Sequence, residues 1–287
     1  MQVTIRPATA ADTDVCARIV HDAFRQIDEH HRFPPDFPTI DDARQLCEVF
    51  ITHPSIYGIV AERGGEVVGS NFLDERDPIR GVGPITVDPQ VQARGIGRRL
   101  MQAVLERGRG AAGIRLLQDS FNTRSVALYA SLGFDVREPL LLMSGRPKSS
   151  PPEDVEVRPL SPEDLGGCAE LCERVHGFAR NGDLADAAQV FKPAVAVRQG
   201  RVTAYASTVS FWPLNHGVAE TEADMRALLL GAAALSPEPL AFLLPVRQAD
   251  LLRWCLGEGL RVVKPMTLMT TGEYREPSGS YFASVLY

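Results

Sequence analysis

A segment between a predicted strand and a predicted helix has the residue types needed to bind a phosphate group. The turn that opens the helix carries two glycines, Gly95 and Gly97, and Arg98 and Arg99 lie in the first helical turn. Cations at a helix N-terminus oppose the macrodipole at a cost of about 0.3–1 kcal/mol each, whereas a bound anion reverses that sign. Glycine lets the backbone approach such an anion, and the free amides of the first turn point at it. The segment predicts a pyrophosphate site, with an ordinary turn carrying solvated arginines as the alternative.

The loop differs from a dinucleotide-binding loop. Gly97 is not followed by a third glycine at the Gly-x-Gly-x-x-Gly spacing. The acid after the following strand, Asp119, lies too far along for the spacing of about twenty residues at which an acid binds a ribose, and it precedes a different kind of turn. The dinucleotide alternative is therefore disfavoured.

Two motifs resemble those of the GNAT superfamily of N-acetyltransferases. The acetyl-CoA signature of that family, Gln/Arg-x-x-Gly-x-Gly/Ala, is matched by residues 92–97, after a strand and at the start of a helix. Residues 122–134, which contain Asn122, Ser125 and Tyr129, resemble the second signature of the family. The resemblance covers residues 1 to about 144 through these motifs, and it extends further only through an internal repeat.

The resemblance implies acetyl-CoA as the acyl donor and implies where it binds. In the family, the strand backbone that corresponds to residues 85–87 pairs with the pantetheine arm, and the loop amides at residues 93–98 hold the pyrophosphate. Polar groups of the second motif contact the pantetheine or cap the helix. The cofactor-binding residues expected in this way are Ile85, Thr86, Val87, Gln92, Ala93, Arg94, Gly95, Ile96, Gly97, Arg98, Arg99, Asn122, Ser125 and Tyr129.

Acetyl transfer to an amine requires a neutral nucleophile, a polarised thioester carbonyl and a proton for the departing thiolate. The resemblance assigns the proton to Tyr129, because a phenol with an ordinary pKa of about 10 is protonated at neutral pH; a core aromatic is the alternative. Many family members carry a glutamate base before the glycine loop, but residues 81–86 contain no carboxylate. Asp74, Glu75 and Asp119 are the candidate bases. Solvated loop charges, or a water chain without a dedicated base, are the alternatives.

The acceptor region of the family lies between the first two helices, which corresponds to residues 26–38 here. This segment mixes carboxylates, histidines and phenylalanines with prolines. It suits a small amine with an apolar part, and a solvated Pro-rich loop is equally compatible. The residues concerned are Asp28, Glu29, His30, His31, Phe33, Asp36 and Phe37.

The elements that position these motifs follow from the hydrophobic pattern of the first half. Two β-rich runs are joined by a Gly64-Gly65 hairpin turn. The expected elements are strands at residues 56–61, 66–73, 85–88, 114–118 and 134–143 and helices at residues 96–109 and 122–132. The order βααβββαβαβ predicts an α/β fold in which helices pack on a mixed sheet.

An internal repeat predicts two domains of the same plan. Two alignments carry it: residues 3–12 with 155–164, at a shift of 152, and residues 132–143 with 258–269, at a shift of 126. The Pro- and Ser-rich residues 144–154 predict a linker between the halves. We expect tandem GNAT-like domains at residues 1–146, the first half, and at residues 153–287, the second half.

The second half is expected to have lost its cofactor site. The shift of 126 sets Cys255 in the place of Tyr129. Acids within residues 218–224 stand at the position of the glycine loop, where they complement a helix N-terminus but repel a pyrophosphate. The apolar residues 281–287 are expected to pack as a final strand or against the first half.

Composition narrows the class of protein further. The 287 residues are 45% apolar and carry a formal charge of −6, so the chain is globular and repels nucleic acid and anionic lipid. The longest apolar stretch, residues 227–246, is interrupted by Ser236, Pro237, Glu238 and Pro239 and does not predict a membrane span. No signal peptide is expected, and an odd number of cysteines favours reduced thiols. A metal site at Cys168, Cys172 and His176 is disfavoured against an apolar helix face.

These observations lead to one principal hypothesis and one rival. The first is a cytoplasmic, acetyl-CoA-dependent N-acetyltransferase, monomeric or homodimeric, which acts on a small amine and has no nucleic-acid or membrane partner. The rival is a non-catalytic acyl-CoA sensor that keeps the cofactor loop. The presence of Tyr129 favours the enzyme, and the missing strand glutamate favours the sensor.

Overall fold

The computed structural model describes residues 2–91 and 95–286. In the first half, α-helices and strands alternate much as the sequence predicts. The elements are β1 (Val3–Pro7), α1 (Thr13–His31), α2 (Ile40–Thr52), β2 (Ile56–Arg63), β3 (Glu66–Asp74), β4 (Ile79–Val82), β5 (Thr86–Val87), α3 (Ile96–Arg107), β6 (Gly113–Asp119), α4 (Thr123–Ser131) and β7 (Asp135–Gly145).

The strand expected at residues 85–88 is shorter in the structure and is preceded by another. β4 pairs with β3 and, in parallel, with β6, but the pairing with β6 reaches only Arg115. β5 pairs with β3. Between β4 and β5, Gly83 has a φ of +137° and Pro84 has no amide hydrogen to donate, so the ladder is interrupted. The sheet therefore opens between β5 and the end of β6.

The second half repeats this plan. Its elements are β8 (Glu156–Pro159), α5 (Leu165–His176), α6 (Asn181–Val190), β9 (Ala194–Arg198), β10 (Arg201–Ala206), β11 (Gly217–Ala219), α7 (Glu222–Leu235), β12 (Leu240–Pro245), α8 (Ala249–Gly257), β13 (Arg261–Gly272) and β14 (Ser280–Phe282). The shift of 126 carries α4 onto α8, and β7 onto all but the last residue of β13. The sequence repeat is therefore also a repeat of structure.

The first turn of each half is held by the same ion pair. Arg6 Nη1 lies 2.7 Å from Asp12 Oδ2, and Arg158 Nη1 lies 2.7 Å from Asp164 Oδ2. Each aspartate also accepts a hydrogen bond from a backbone amide three residues earlier, at 2.8 Å. These bonds lower the pKa of Asp12 and of Asp164 to about 2.

The two halves exchange their long last strands. β13 of the second half lies between β6 and β7, and it pairs with both in antiparallel fashion. β7 of the first half pairs in turn with β12. Among the described strands, the sheet runs in the order β1-β2-β3-β4-β6-β13-β7-β12, with β5 beside β3. Each half is consequently completed by a strand from the other.

β14 fills the opening of the second half. It pairs with β11, and the next residue, Ala283, forms a bridge to Leu243 of β12. Residues 284–286 then run to the first half, where Leu286 packs against Phe50 and Phe72. We expected residues 281–287 to form a strand or to pack on the first half. The described part of this segment does both, since β14 is a strand and Leu286 packs on the first half.

Helix packing follows the apolar pattern of each helix. In α3 the buried residues Ile96, Leu100, Met101 and Val104 form one stripe against the sheet. α7 is buried over most of its length and lies at the centre of the hydrophobic core of the second half. No helix in the described ranges is both long and apolar enough to cross a bilayer. Cys168 and Cys172 of α5 are buried in an apolar cluster, as the apolar-face interpretation predicts.

Candidate active site

A cleft of about 660 Å³ lies where the sheet opens between β5 and β6, beside the N-terminus of α3. It brings together most of the residues that the sequence assigns to the cofactor. Those that line it are Ile85, Thr86, Val87, Gly95, Ile96, Gly97, Arg98, Asn122, Ser125 and Tyr129. Arg99 lies on the exposed side of α3, and Gln92, Ala93 and Arg94 lie outside the described residues.

The start of α3 has the geometry of an anion site. Gly95 is the N-cap residue and has a φ of +77°, which glycine adopts readily. A Cβ on Gly97 would lie 3.6 Å from Leu128 and 3.8 Å from Val87, so packing within the protein leaves room for a methyl group there. The first-turn amides of α3 are oriented towards the cleft by the helix itself. These features fit a phosphate that approaches the backbone closely.

Tyr129 lies at the inner end of this cleft. Asn122 caps α4 by accepting a hydrogen bond from Ser125 N at 3.2 Å, which sets the start of the helix two turns before Tyr129. The phenol is buried, and burial raises its pKa to about 12, although a hydrogen bond with Ser125 opposes the change. Tyr129 therefore stays protonated at neutral pH and is able to donate a proton.

A second, inner pocket of about 120 Å³ adjoins the cleft. The two spaces share a boundary that includes Tyr129. The residues that line both are Phe24, Ile85, Asp119, Asn122, Ser125 and Tyr129. The outer walls of the inner pocket come from both halves of the chain. They include Phe37, Leu46 and Phe50 of the first half, and Trp212, Met266 and Leu286 of the second.

A cluster of charged residues lies beside the inner pocket, and two of its members, Asp36 and Asp119, line the pocket. Lys264 Nζ, on the exchanged strand β13, lies 2.6 Å from both carboxylate oxygens of Asp36 and 2.8 Å from Asp119 Oδ1. Asp28 accepts a hydrogen bond from Asp36 N at 3.0 Å. Oxygen atoms of the three aspartates lie within 4.8 Å of one another. Hard cations prefer such oxygen ligands, but here the ammonium of Lys264 already lies between Asp36 and Asp119.

Burial sets the protonation behaviour of this cluster. It raises the pKa of Asp28 to about 7, with a further contribution from the charge of Asp36. It raises the pKa of Asp36 to about 6, because burial outweighs the opposing attraction of Lys264. For Lys264 burial lowers the pKa, but the charges of Asp36 and Asp119 outweigh it and hold the pKa above its ordinary value. The cluster thus contains groups that exchange protons near neutral pH.

The candidate bases lie in different places. Asp119 lies in the cleft, in contact with Lys264. Glu75 lies elsewhere, and its carboxylate pairs with Arg80 at 2.7 Å and with Arg107 at 2.8 Å. Asp74 pairs with Arg76 at 2.7 Å. The structure therefore does not bring Asp74 or Glu75 to the cleft, because local arginines hold them.

Sequence reasoning missed Lys264 and the second-half wall of the inner pocket. The repeat gave one signal, because the shift of 126 aligns Lys264 with Glu138, so both exchanged strands carry a charge at the same position. Both residues are buried, and each reaches into the other half: Glu138 Oε2 accepts hydrogen bonds from Arg247 and Tyr281, both at 3.0 Å. A charged residue inside an apolar strand indicates a buried position at which another residue must pair with that charge.

A mixed sheet that opens beside a helix N-terminus, with a tyrosine at the inner end of the opening, is the arrangement of an acyl-CoA-dependent N-acetyltransferase. Residues 19–134 match the model of the acetyltransferase (GNAT) family. N-alpha-acetyltransferase RimI of Mycobacterium tuberculosis is 33% identical over 136 residues, which are 46% of this chain and 78% of that protein. The chain belongs to the GNAT acetyltransferase family, whose acyl donor is acetyl-CoA.

Other similarities extend to the second half or are more local. Mycothiol acetyltransferase of Nocardia farcinica is 41% identical over 63 residues, which span only 21% of that protein and 21% of this chain. A solved structure from Pyrococcus horikoshii has a TM-score of 0.78 at 20% identity and covers 99% of this chain and 94% of that one. A tandem GNAT protein from the clavulanic acid biosynthesis pathway has a TM-score of 0.59 at 14% identity. The match covers 94% of this chain and 98% of that one. The GNAT fold is therefore present in both halves.

Proposed function

We propose that this protein transfers the acetyl group of acetyl-CoA to a small-molecule amine in the first half, with Tyr129 as the general acid. The observation that carries the proposal is the position of Tyr129, whose side chain lines both the cofactor cleft and the inner pocket. A thioester at the inner end of the cleft would meet an amine from the inner pocket beside this phenol.

The proposed reaction is a direct transfer. The amine nitrogen attacks the thioester carbonyl carbon, the new C–N bond forms, and the C–S bond breaks. An ammonium acceptor gives up two protons in all. One replaces the proton that Tyr129 donates to the thiolate sulfur, and the other leaves to solvent. A phenol that burial keeps protonated suits the first role.

Asp36 and Asp119 are the groups best placed to receive the acceptor's proton. Both line the inner pocket, and neither belongs to the strand on which many family members carry a glutamate. The raised pKa of Asp36, about 6, brings this carboxylate close to the working pH that favours general-base catalysis. This assignment replaces Glu75, which lies outside the cleft.

We also propose that the second half binds no acetyl-CoA of its own. β14 lies between β11 and β12, which is the place of the opening in the first half. Gln248, the counterpart of Asn122, is engaged by this segment, because its Nε2 donates to Tyr281 O at 2.6 Å. At the start of α7, Asp224 N donates the capping hydrogen bond to Thr221 Oγ1 at 3.1 Å, and the Asp224 carboxylate forms an ion pair with Arg198. The chain's own residues thus fill the counterpart of the cofactor site.

Turnover and binding in a Tyr129→Phe variant test the proposed function. Free thiol is followed during incubation with acetyl-CoA and a panel of small amines, and the N-acetylated product is identified by mass. The variant should bind CoA as the wild type does and turn over at least about 100-fold more slowly. Tyr57→Phe, which removes a hydroxyl outside both spaces, is the control and should keep full activity.

Two outcomes would contradict the proposal. Equal activity of the Tyr129→Phe variant would show that the thiolate receives its proton from another group. Acetyl-CoA binding by the wild type, with no thiol released for any amine of the panel, would instead support the non-catalytic sensor.

A further inference from the structure

The inner pocket limits the size of the acceptor. Its volume is about 120 Å³. An engineered apolar cavity of about 150 Å³ holds one benzene molecule. The pocket therefore takes a body of about six non-hydrogen atoms, with the reacting nitrogen directed to Tyr129. Trp212 and Leu286 form its wall on the side of the second half, where a longer acceptor such as a peptide would meet them.

One polar side chain in the pocket wall has no partner within the protein. Gln118 is 7% exposed and lines the pocket, and neither atom of its side-chain amide has a hydrogen-bond partner among the described residues. A buried amide that lacks its hydrogen bonds costs about 1–3 kcal/mol. An acceptor with a carboxamide group would satisfy both the donor and the acceptor of Gln118. The side chain therefore favours such a group over an alkyl group of the same size.

The charge of the pocket wall selects against acids. Asp36 and Asp119 line the pocket and present two carboxylates, against the single ammonium of Lys264 behind them, and Asp28 lies beside them. Asp28 Oδ1 is buried and has no hydrogen-bond partner in the described part of the chain. An acceptor with an ammonium group adds the missing positive charge. A carboxylate on the acceptor would instead add to the excess of negative charge in a buried site.

We infer that the acceptor is a small primary amine of about six non-hydrogen atoms that carries a neutral carboxamide and no carboxylate. Its ammonium faces Asp36 and Asp119, and its carboxamide pairs with Gln118. The inference rests on the proposed function, because it names the substrate class of the same site.

Four amines, of which the first three are matched in size, test the inference: 3-aminopropanamide, n-pentylamine, 3-aminopropanoic acid and trialanine amide. The measured quantity is kcat/KM with acetyl-CoA at saturation. 3-Aminopropanamide should exceed n-pentylamine by at least about 10-fold, since the alkyl chain leaves Gln118 unpaired. It should exceed the amino acid and the peptide by at least about 100-fold, because of charge and size respectively.

Variants of the wall separate the contributions. Gln118→Met, of similar length but apolar, should bring the ratio of 3-aminopropanamide to n-pentylamine close to one while CoA affinity stays unchanged. Trp212→Ala should raise kcat/KM for trialanine amide relative to the small amines, and Leu46→Ala provides the same test if the first variant does not fold. CoA titration of each variant verifies that the cofactor cleft is intact.

The possible failures are distinguishable. Equal or better turnover of the amino acid or of the peptide would overturn the inference and leave the proposed acetyltransferase function standing. The same holds if the Gln118→Met variant keeps the wild-type ratio. Absence of turnover with all four amines and with the wider panel, while CoA binds, would overturn both.

Discussion

Replacing Lys264 with methionine should make the stability of the chain strongly dependent on pH. Methionine keeps the length of the buried stem but removes the ammonium that lies 2.6 Å from Asp36 and 2.8 Å from Asp119. Removing one partner of a buried ion pair costs about 3–5 kcal/mol, because the remaining charge is left uncompensated. This full penalty is expected at pH 8.

The penalty should shrink as the pH falls. A carboxyl group whose pKa is higher in the folded than in the unfolded state stabilises the fold below the unfolded value, and that stability is lost as the pH rises through the folded value. The pKa of Asp36 is already raised to about 6 with Lys264 present, and loss of the ammonium raises it further. For each pH unit below the folded-state pKa, the variant recovers about 1.4 kcal/mol of its free energy of unfolding. At pH 5 the loss of stability should therefore be under about 2 kcal/mol.

Denaturant titrations at pH 5 and pH 8 measure this difference. Lys192→Met is the control, since Lys192 is exposed, and its effect should stay within about 0.5 kcal/mol at both pH values. The double variant Lys264→Met with Asp36→Asn should recover much of the stability at pH 8, because it removes an unmatched charge. An equal penalty at both pH values, with no recovery in the double variant, would refute the electrostatic reasoning and leave Lys264 a packing residue.

Three further predictions concern the cofactor cleft, the segment at residues 284–286 and the acidic cluster. Gly97→Glu should fold and lose CoA affinity in calorimetry, whereas Gly97→Ala, whose Cβ has room, should lose far less; equal affinities would contradict the anion site. Gly81→Ala should destabilise the chain by about 1–3 kcal/mol in thermal unfolding, because its Cβ would lie 2.2 Å from the carbonyl oxygen of Leu286; an unchanged Tm would show that Leu286 does not pack there. Asp28→Asn should stabilise the chain at pH 8 by about 1–2 kcal/mol and have little effect at pH 5, since the pKa of Asp28 is raised to about 7 and asparagine still accepts from Asp36 N; a destabilised variant at pH 8 in denaturant titration would have the wrong sign.

The glycine loop and α4 were predictable because local chemistry determines them. Gly95, Gly97 and Asn122 define a helix N-terminus and a cap through their own residue types, and the repeat located α8 and β13 from α4 and β7. The bend at Gly83 and Pro84 was readable in principle, because proline within a strand interrupts the ladder. The sequence prediction nevertheless treated residues 85–88 as one strand.

The strand exchange could not be predicted from the sequence. Periodicity shows which face of a strand is buried, but it does not identify the neighbouring strand. β7 and β13 are equivalent by the repeat, so either could complete either half with the same local pattern. The role of Lys264 depends on this exchange, since only the exchanged position brings it to Asp36 and Asp119. For the same reason the sequence predicts the acceptor region at residues 26–38 alone.

The central claim is that one half of this tandem protein binds and uses acetyl-CoA while the other completes the site. Equilibrium titration of the full chain with CoA tests it most directly. We expect one site per chain in the wild type and none in the folded Gly97→Glu variant. Two sites per chain, or one site that persists in Gly97→Glu, would contradict it.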